Sequence, residues 1–146
     1  MRRIVRQIGP CELRPKRLPP FQSLVHAIIH QQLSGQAAGT IFRRFQTRCG
    51  DGQFPAPEAV LACGVQGMRA AGISRPKARY ILELATRATD GRLPTLKECD
   101  RMTDEQLLES LTASKGVGRW TAEMLLIFNL GRPDVLPVHD LGVRRG

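Results

Sequence analysis

The chain has 146 residues, 42% of them hydrophobic, which suits one domain with its own core and argues against disorder. Its formal charge of +9 fits a polyanionic partner without telling DNA from RNA or from anionic lipid. No apolar run reaches the length of a membrane span, and the start Met1-Arg2-Arg3-Ile4-Val5-Arg6 has the basic flank of a secretory signal but not its apolar stretch; a cytoplasmic protein with no membrane partner is expected.

The first twenty residues carry Pro10, Pro15, Pro19 and Pro20 and are expected to be irregular, bracing the helices after them. From Phe21 helical spacing takes over. Phe21, Leu24, Val25, Ile28 and Ile29 form one stripe, with Pro19 and Pro20 placed to open the helix. His26 and His30, spaced i and i+4, could share a metal, but no third ligand is evident and an ordinary helix face is expected. Gln31, Gln32 and Leu33 form a polar helix end. Ser34 then caps a helix whose Ala37, Ala38, Ile41, Phe42 and Phe45 should be buried. Gly50 to Pro57 is a connector, and short helical pieces are predicted around 58–62 and 65–71.

Ser74 caps a third strong helix with Ala78, Ile81, Leu82 and Ala85 on its inner side and Lys77, Arg79 and Arg87 toward solvent. Thr103-Asp104-Glu105-Gln106 is a capping box that starts a helix through Leu107, Leu108 and Leu111. A Gly116-Val117-Gly118 turn follows, then a helix from about Trp120 to Leu130, stopped by Gly131 and Pro133. The fold class is therefore all-α, with an irregular segment at 1–20, a helical domain at 21–146 and a helix-hairpin-helix at about 104–130. Cys11, Cys49, Cys63 and Cys99 are scattered, with no close pair that suggests a zinc or iron-sulfur site, and are read as reduced thiols.

The hairpin is the chemically informative part. A Gly-x-Gly between helices is by itself more often a tight turn than a ligand cradle. Here, however, the glycines would clear room for a phosphate, and N–H groups at the start of the second helix would point at it with partial positive charge. Such a grip holds a nucleic-acid backbone without reading its sequence.

The run Lys115-Gly116-Val117-Gly118-Arg119-Trp120-Thr121-Ala122-Glu123-Met124-Leu125-Leu126 resembles the hairpin of the helix-hairpin-helix DNA glycosylases. Arg132-Pro133-Asp134-Val135-Leu136-Pro137-Val138-His139-Asp140-Leu141 resembles the segment carrying that superfamily's catalytic aspartate, and Ala27-Ile28-Ile29-His30-Gln31-Gln32-Leu33-Ser34 looks like its Gln-rich corner. Three motifs in the right order, spanning about Phe21 to Gly146, make the chain similar to the 3-methyladenine DNA glycosylase II family within it.

This resemblance implies base excision repair: removal of alkylated purines from duplex DNA with damaged bases, on the chromosome, with no cofactor required. Asp140, which from its position after Pro137 reads as a helix N-cap, would on this resemblance be the catalytic carboxylate. It would stabilise an oxocarbenium-like sugar or activate a water. Trp120 and Met124 would line the base pocket, the indole face attracting a cationic base. Lys115, Gly116, Val117, Gly118, Arg119 and Thr121 would hold the DNA backbone. Gln32, or else Leu33, would wedge into the gap left by the extruded nucleotide. Main-chain carbonyls of Thr112, Ser114 and Val117 could hold a structural Na or K ion.

Bifunctional relatives place a Schiff-base lysine where this chain has Trp120, so no lyase step is expected. The chain departs from the family at His139, in place of a frequent acidic residue, at Met124, where some relatives have an aromatic, and at Gln32, where some have an apolar wedge. It also stops six residues after Asp140, where resembling enzymes continue through further helices, so an incompletely covered core and self-association are expected. Two other readings need less: a non-catalytic helix-hairpin-helix DNA-binding module has no use for Asp140, and a basic helical protein-interaction domain needs only the charge.

Overall fold

Apolar spacing sets the helices of the computed structural model, which describes residues 6, 9 and 11–145. The expectation of irregular structure at 1–20 falls partly outside these residues. Helix α1 (Pro20–His30) opens with Pro20 in its first turn and buries Phe21, Leu24, Val25, Ile28 and Ile29, the stripe read from the sequence. Helix α2 (Gly35–Gly50) is capped by Ser34, whose side chain accepts from the Ala37 N–H. Its buried residues are Ala38, Phe45 and Cys49; Ala37 lies one position off that line and is exposed, against expectation.

Helix α3 (Pro57–Ala70) is broken at Gly64, where φ is 64° and ψ is −179°. Such a backbone suits glycine and separates the two short pieces that the sequence predicts. Helix α4 (Arg75–Thr89) buries Ala78, Ile81, Leu84 and Ala85. Ser74 sits at its N-cap, yet its side chain makes no capping hydrogen bond. A short helix α5 (Leu96–Cys99), with a Thr95–Glu98 capping box, is an addition to the predicted elements. Helix α6 (Asp104–Thr112) has the expected Thr103–Gln106 capping box.

The hairpin's second helix is α-helical only at Arg119–Met124 (α7) and continues as a π-helical stretch, Leu125–Leu130. Both Gly131 and Arg132 donate their N–H to the Leu126 carbonyl. Pro133 has no N–H to continue the pattern, and the Phe128 and Asn129 carbonyls instead accept from Lys16 and Arg17. Asn129, 4% exposed, also bonds the Leu18 N–H and carbonyl through its side-chain amide. Arg17 makes a two-pronged contact with Asp100 at 2.9 and 2.7 Å. These bonds give residues 16–18 the bracing role expected of the arm. Helix α8 (Leu141–Arg145) comes last and buries none of its residues.

Helix α1 is the hub: it packs on α2, on α4 and on the π-helical stretch. Leu24, Ile28, Phe45, Met68, Ile81, Leu84, Leu107, Leu111 and Leu126 are fully buried around it. Each such side chain contributes roughly 1.5–3 kcal/mol of burial free energy. No strand occurs among the described residues, and no helix among them is long and apolar enough to cross a membrane.

Two expectations are corrected. Cys49 and Cys63 form a disulfide, their Cα atoms 5.4 Å apart, so these two are not free thiols. The turn at 51–56 folds α3 back against α2 and brings together cysteines that the linear spacing keeps apart; closing a loop of this size contributes about 3 kcal/mol in the chain-entropy account. Cys11 and Cys99 are free, and burial pushes the Cys99 thiol up to about 11. Lys77, expected in solvent, turns inward and donates to the Ile29 and Gln31 carbonyls at 2.9 and 2.6 Å. It thereby satisfies carbonyls that the end of α1 leaves open.

Candidate nucleic-acid interface and active site

The two hairpin glycines do different work. Gly116 has φ 83°, and a Cβ there would lie 2.5 Å from the Tyr80 ring. Its lack of a side chain serves the fold, where the sequence suggested room for phosphate. A Cβ on Gly118 would meet nothing within 4 Å, so the open approach to the hairpin is there. Gly118 is the N-cap of α7 and no side chain caps that helix. Its first-turn N–H groups are thus directed at the surface with the positive end of the peptide dipoles. Val117 and Thr121, at 4% and 7% exposure, can offer this surface only backbone.

Three contacts hold the hairpin in place, two of them between residues far apart in sequence and the third an i, i+4 pair. Glu83 accepts the Lys115 N–H at 2.9 Å, so that amide is occupied internally. Gln31 donates from its side chain to the Gly116 carbonyl at 3.0 Å and ties the Gln-rich corner to the turn. Glu123, whose side chain is 2% exposed, pairs with Arg119 at 2.9 Å and steadies a guanidinium that is itself 63% exposed. Lys115 also stands in solvent. The Ser114 carbonyl accepts from Val117, whereas no backbone N–H among the described residues bonds the Thr112 or Val117 carbonyl.

At the corner, Gln32 is exposed with φ 57°, in the left-handed region that non-glycine residues seldom occupy. Such a conformation costs on the order of 1 kcal/mol and persists where neighbours enforce it, here through Lys77 and Gln31 on its N-terminal side. Leu33 is 41% exposed and borders a small hollow with Ile29, Ile41 and Ile73. Of the two, Gln32 stands freer of the core.

Asp140 ends the turn after Pro137 and heads α8. Its Oδ1 accepts the Gly142 and Val143 N–H groups at 2.8 and 3.3 Å, and its Oδ2 accepts the Trp120 indole N–H at 2.6 Å. The Trp120 bond first, and the two backbone amides after it, hold the carboxyl below its ordinary value. Asp140 is therefore both the helix cap and a carboxylate kept ionised on an accessible surface. His139 is exposed beside it and has no hydrogen-bond partner among the described residues.

The indole of Trp120 is 49% exposed. One helical turn on, Met124 lines a cavity of about 300 Å³ between α1 and the hairpin's second helix, at the small end of the range for ligand sites. Leu24, Ala27, Leu125, Phe128 and Leu18 supply most of its apolar wall, and Lys16, His26, Ser23 and Thr121 its polar groups. Trp120 is outside this lining. Phe128, 46% exposed, and His26 line this cavity, a place that sequence reasoning assigned to neither. The i, i+4, i+8 spacing of Trp120, Met124 and Phe128 was the available signal. His26 and His30 stack with ring centroids 3.8 Å apart, and no metal-binding cluster occurs among the described residues.

Residues 25–146 match the family described as HhH-GPD superfamily base excision DNA repair protein. The chain is 42% identical to DNA-3-methyladenine glycosylase 1 of Schizosaccharomyces pombe, an alignment covering 99% of this chain and 64% of that protein. Among solved structures, it superposes on the S. pombe 3-methyladenine DNA glycosylase in complex with abasic DNA with a TM-score of 0.82 at 40% identity, covering 98% of this chain and 70% of that one. On the DNA-3-methyladenine glycosidase of Bacillus halodurans the TM-score is 0.89 at 39% identity, covering 98% and 64%. The chain thus spans about two thirds of the length of these relatives.

Proposed function

The chain belongs to the HhH-GPD superfamily of base excision DNA repair proteins, and from that premise we propose that it acts as a monofunctional DNA glycosylase on alkylated purines in duplex DNA. The observation that carries the reading is the ionised Asp140, clamped by the Trp120 indole beside an uncapped, glycine-opened hairpin. The relatives named for 3-methyladenine support the lesion class.

The proposed reaction starts with the hairpin. Its α7 amides, with Lys115 and Arg119, take the phosphates of one strand, while Gln32 fills the space left by the extruded nucleotide. The base would sit near Trp120 and in the cavity beside Met124. The bond from C1′ to the base nitrogen breaks and its electron pair leaves with the base, which is easy when an alkyl group has already made the purine cationic. The Asp140 charge stabilises the sugar cation, water adds at C1′, and the water's proton passes to the carboxylate or solvent. An abasic site remains. Trp120 has no amine with which to attack the sugar, so the backbone is left intact. The open Thr112 and Val117 carbonyls, with that of Ser114, fit a Na or K ion that would help bind the phosphate, and the reaction requires no cofactor.

Release of free base from alkylated duplex, compared with undamaged duplex, tests the reading. Base release from the alkylated duplex alone is expected, without a borohydride-trapped covalent adduct. Trapping through a specific lysine contradicts the monofunctional assignment. DNA binding without release favours a non-catalytic binding module, and absence of DNA binding favours a protein-interaction domain.

A further inference from the structure

The cavity beside Met124 contains a chemistry that the proposed reaction does not use. Among the described residues two basic side chains line it, Lys16 from the arm and His26 from α1, and no carboxylate does. Asn129 also borders it, but its amide is engaged at both ends by Leu18. The His26 ring is held in place. It stacks on His30 at an interplanar angle of 19°, and Phe42 from α2 meets it edge-on with centroids 5.0 Å apart. His30 is pinned in turn, its Nδ1 donating to the His26 carbonyl at 2.8 Å. Neither nitrogen of the His26 ring has a hydrogen-bond partner among the described residues, which leaves an oriented polar group on the wall of an apolar space.

Building on the glycosylase reading, we propose that His26 is a specificity-determining residue: as a neutral ring it hydrogen-bonds the edge of the extruded base, and on taking up a proton it rejects a base that is itself cationic. The packing favours the neutral ring. Burial first, then His30 and Lys16, lower its proton affinity below that of ordinary histidine. These two are the charged or titratable groups facing it among the described residues; the hairpin side contributes Thr121, Met124, Leu125, Phe128 and Asn129, and α2 contributes Phe42, none of them charged. A lowered pKa means that the ring is neutral at and above neutral pH and takes up its proton at lower pH than an ordinary histidine. A proton there would put a second positive charge beside Lys16, in the space offered to the base.

The distinction is chemical. A 3-methyladenine nucleotide is a cation, whereas a hypoxanthine nucleotide is neutral and presents both donors and acceptors. Single-turnover excision of each should be followed from about pH 8 to about pH 5, with spontaneous loss subtracted, for the parent, His26→Gln and His26→Phe. The ratio of 3-methyladenine to hypoxanthine excision should fall about tenfold for the parent toward acid pH, the order expected from two unit charges a few ångströms apart at a partly exposed site. His26→Gln, which keeps a hydrogen bond without titrating, should hold a constant ratio. His26→Phe, which keeps the ring stack, should lose most hypoxanthine excision at every pH. Affinity for a duplex with a tetrahydrofuran abasic analogue, which has no base, should be unchanged in all three, showing that the fold and DNA grip persist.

A His26→Gln ratio that follows the parent's pH dependence overturns the proposal while leaving the glycosylase reading intact, as does hypoxanthine excision by His26→Phe at the parent rate. A parent protein that excises neither base overturns both.

Discussion

The core around α1 and the strip from Leu136 to Val143 are held by different forces. In the core, Ile28, Phe45 and Ile81 have no solvent exposure. In the strip, Leu136 is 68% exposed, Val138 50%, Leu141 65% and Val143 47%, although these residues flank Asp140 on both sides. Within the strip Pro137 is buried, but the apolar side chains on either side of the half-buried Asp140 stand in solvent and give its carboxylate little packing. Its position depends on three hydrogen bonds, from Trp120, Gly142 and Val143. Stability and site geometry are consequently separable in this molecule, and substitutions in the two regions should have opposite profiles.

The largest effect is expected in the core. Ile28→Ala should cost about 2–5 kcal/mol in urea unfolding, since it opens a hole at the hub, whereas Val143→Ala should stay within about 0.5 kcal/mol. Equal losses would show that the strip is packed after all. Next come the two hairpin glycines. Gly116→Val should unfold or distort the hairpin, because its side chain would enter the Tyr80 ring and its backbone is left-handed. Gly118→Val should fold normally and weaken binding to damaged and undamaged duplexes alike by roughly tenfold, the scale of a lost charge-assisted hydrogen bond. Unchanged affinity in a folded Gly118→Val removes the hairpin from the DNA interface.

Most of this contrast could be read from the sequence. Apolar spacing gave the buried face of α1 and most of that of α4, where Leu84 is fully buried and the expected Leu82 only half-buried; the break at Gly64 and the Thr103 capping box fell where local chemistry placed them. The misses involve contacts between elements that are distant in sequence. Lys77 looks solvent-facing on its own helix, but the open carbonyls at the end of α1 meet it. Cys49 and Cys63 pair because α2 and α3 double back. Phe128 escaped notice because Trp120 and Met124 were placed in the pocket by family resemblance, and the i, i+4, i+8 series that they begin was not carried on to it. Asp140 read as either a cap or a catalytic carboxylate; the structure supplies the capping bonds and leaves the half-buried carboxyl in its ionised form.

Smaller effects sharpen the comparison. The apolar strip should favour association, so sedimentation of the parent should show a concentration-dependent dimer that Leu136→Ser with Leu141→Ser diminishes. A parent that is monomeric at every concentration contradicts this. Trp120→Phe keeps an aromatic ring but removes the largest cause of the depressed Asp140 pKa. A depressed carboxylate keeps its charge until pH falls through its folded pKa, so losing the indole bond should raise that pKa and move the acid limb of excision to higher pH. The neutral-pH rate should change little from this cause, and an acid limb that does not move would detach Trp120 from the ionisation of Asp140.

The most direct measurement is single-turnover excision of alkylated purine by Asp140→Asn, with the variant's fold checked by circular dichroism and its DNA affinity measured alongside. Asparagine keeps the size and much of the capping capacity while losing the charge. Excision should fall roughly a hundredfold or more, the scale of one electrostatic catalytic group, with DNA binding retained or slightly tightened because a negative charge near the phosphates is gone. A folded Asp140→Asn that binds DNA and excises at the parent rate would reduce Asp140 to a helix cap and contradict its catalytic role.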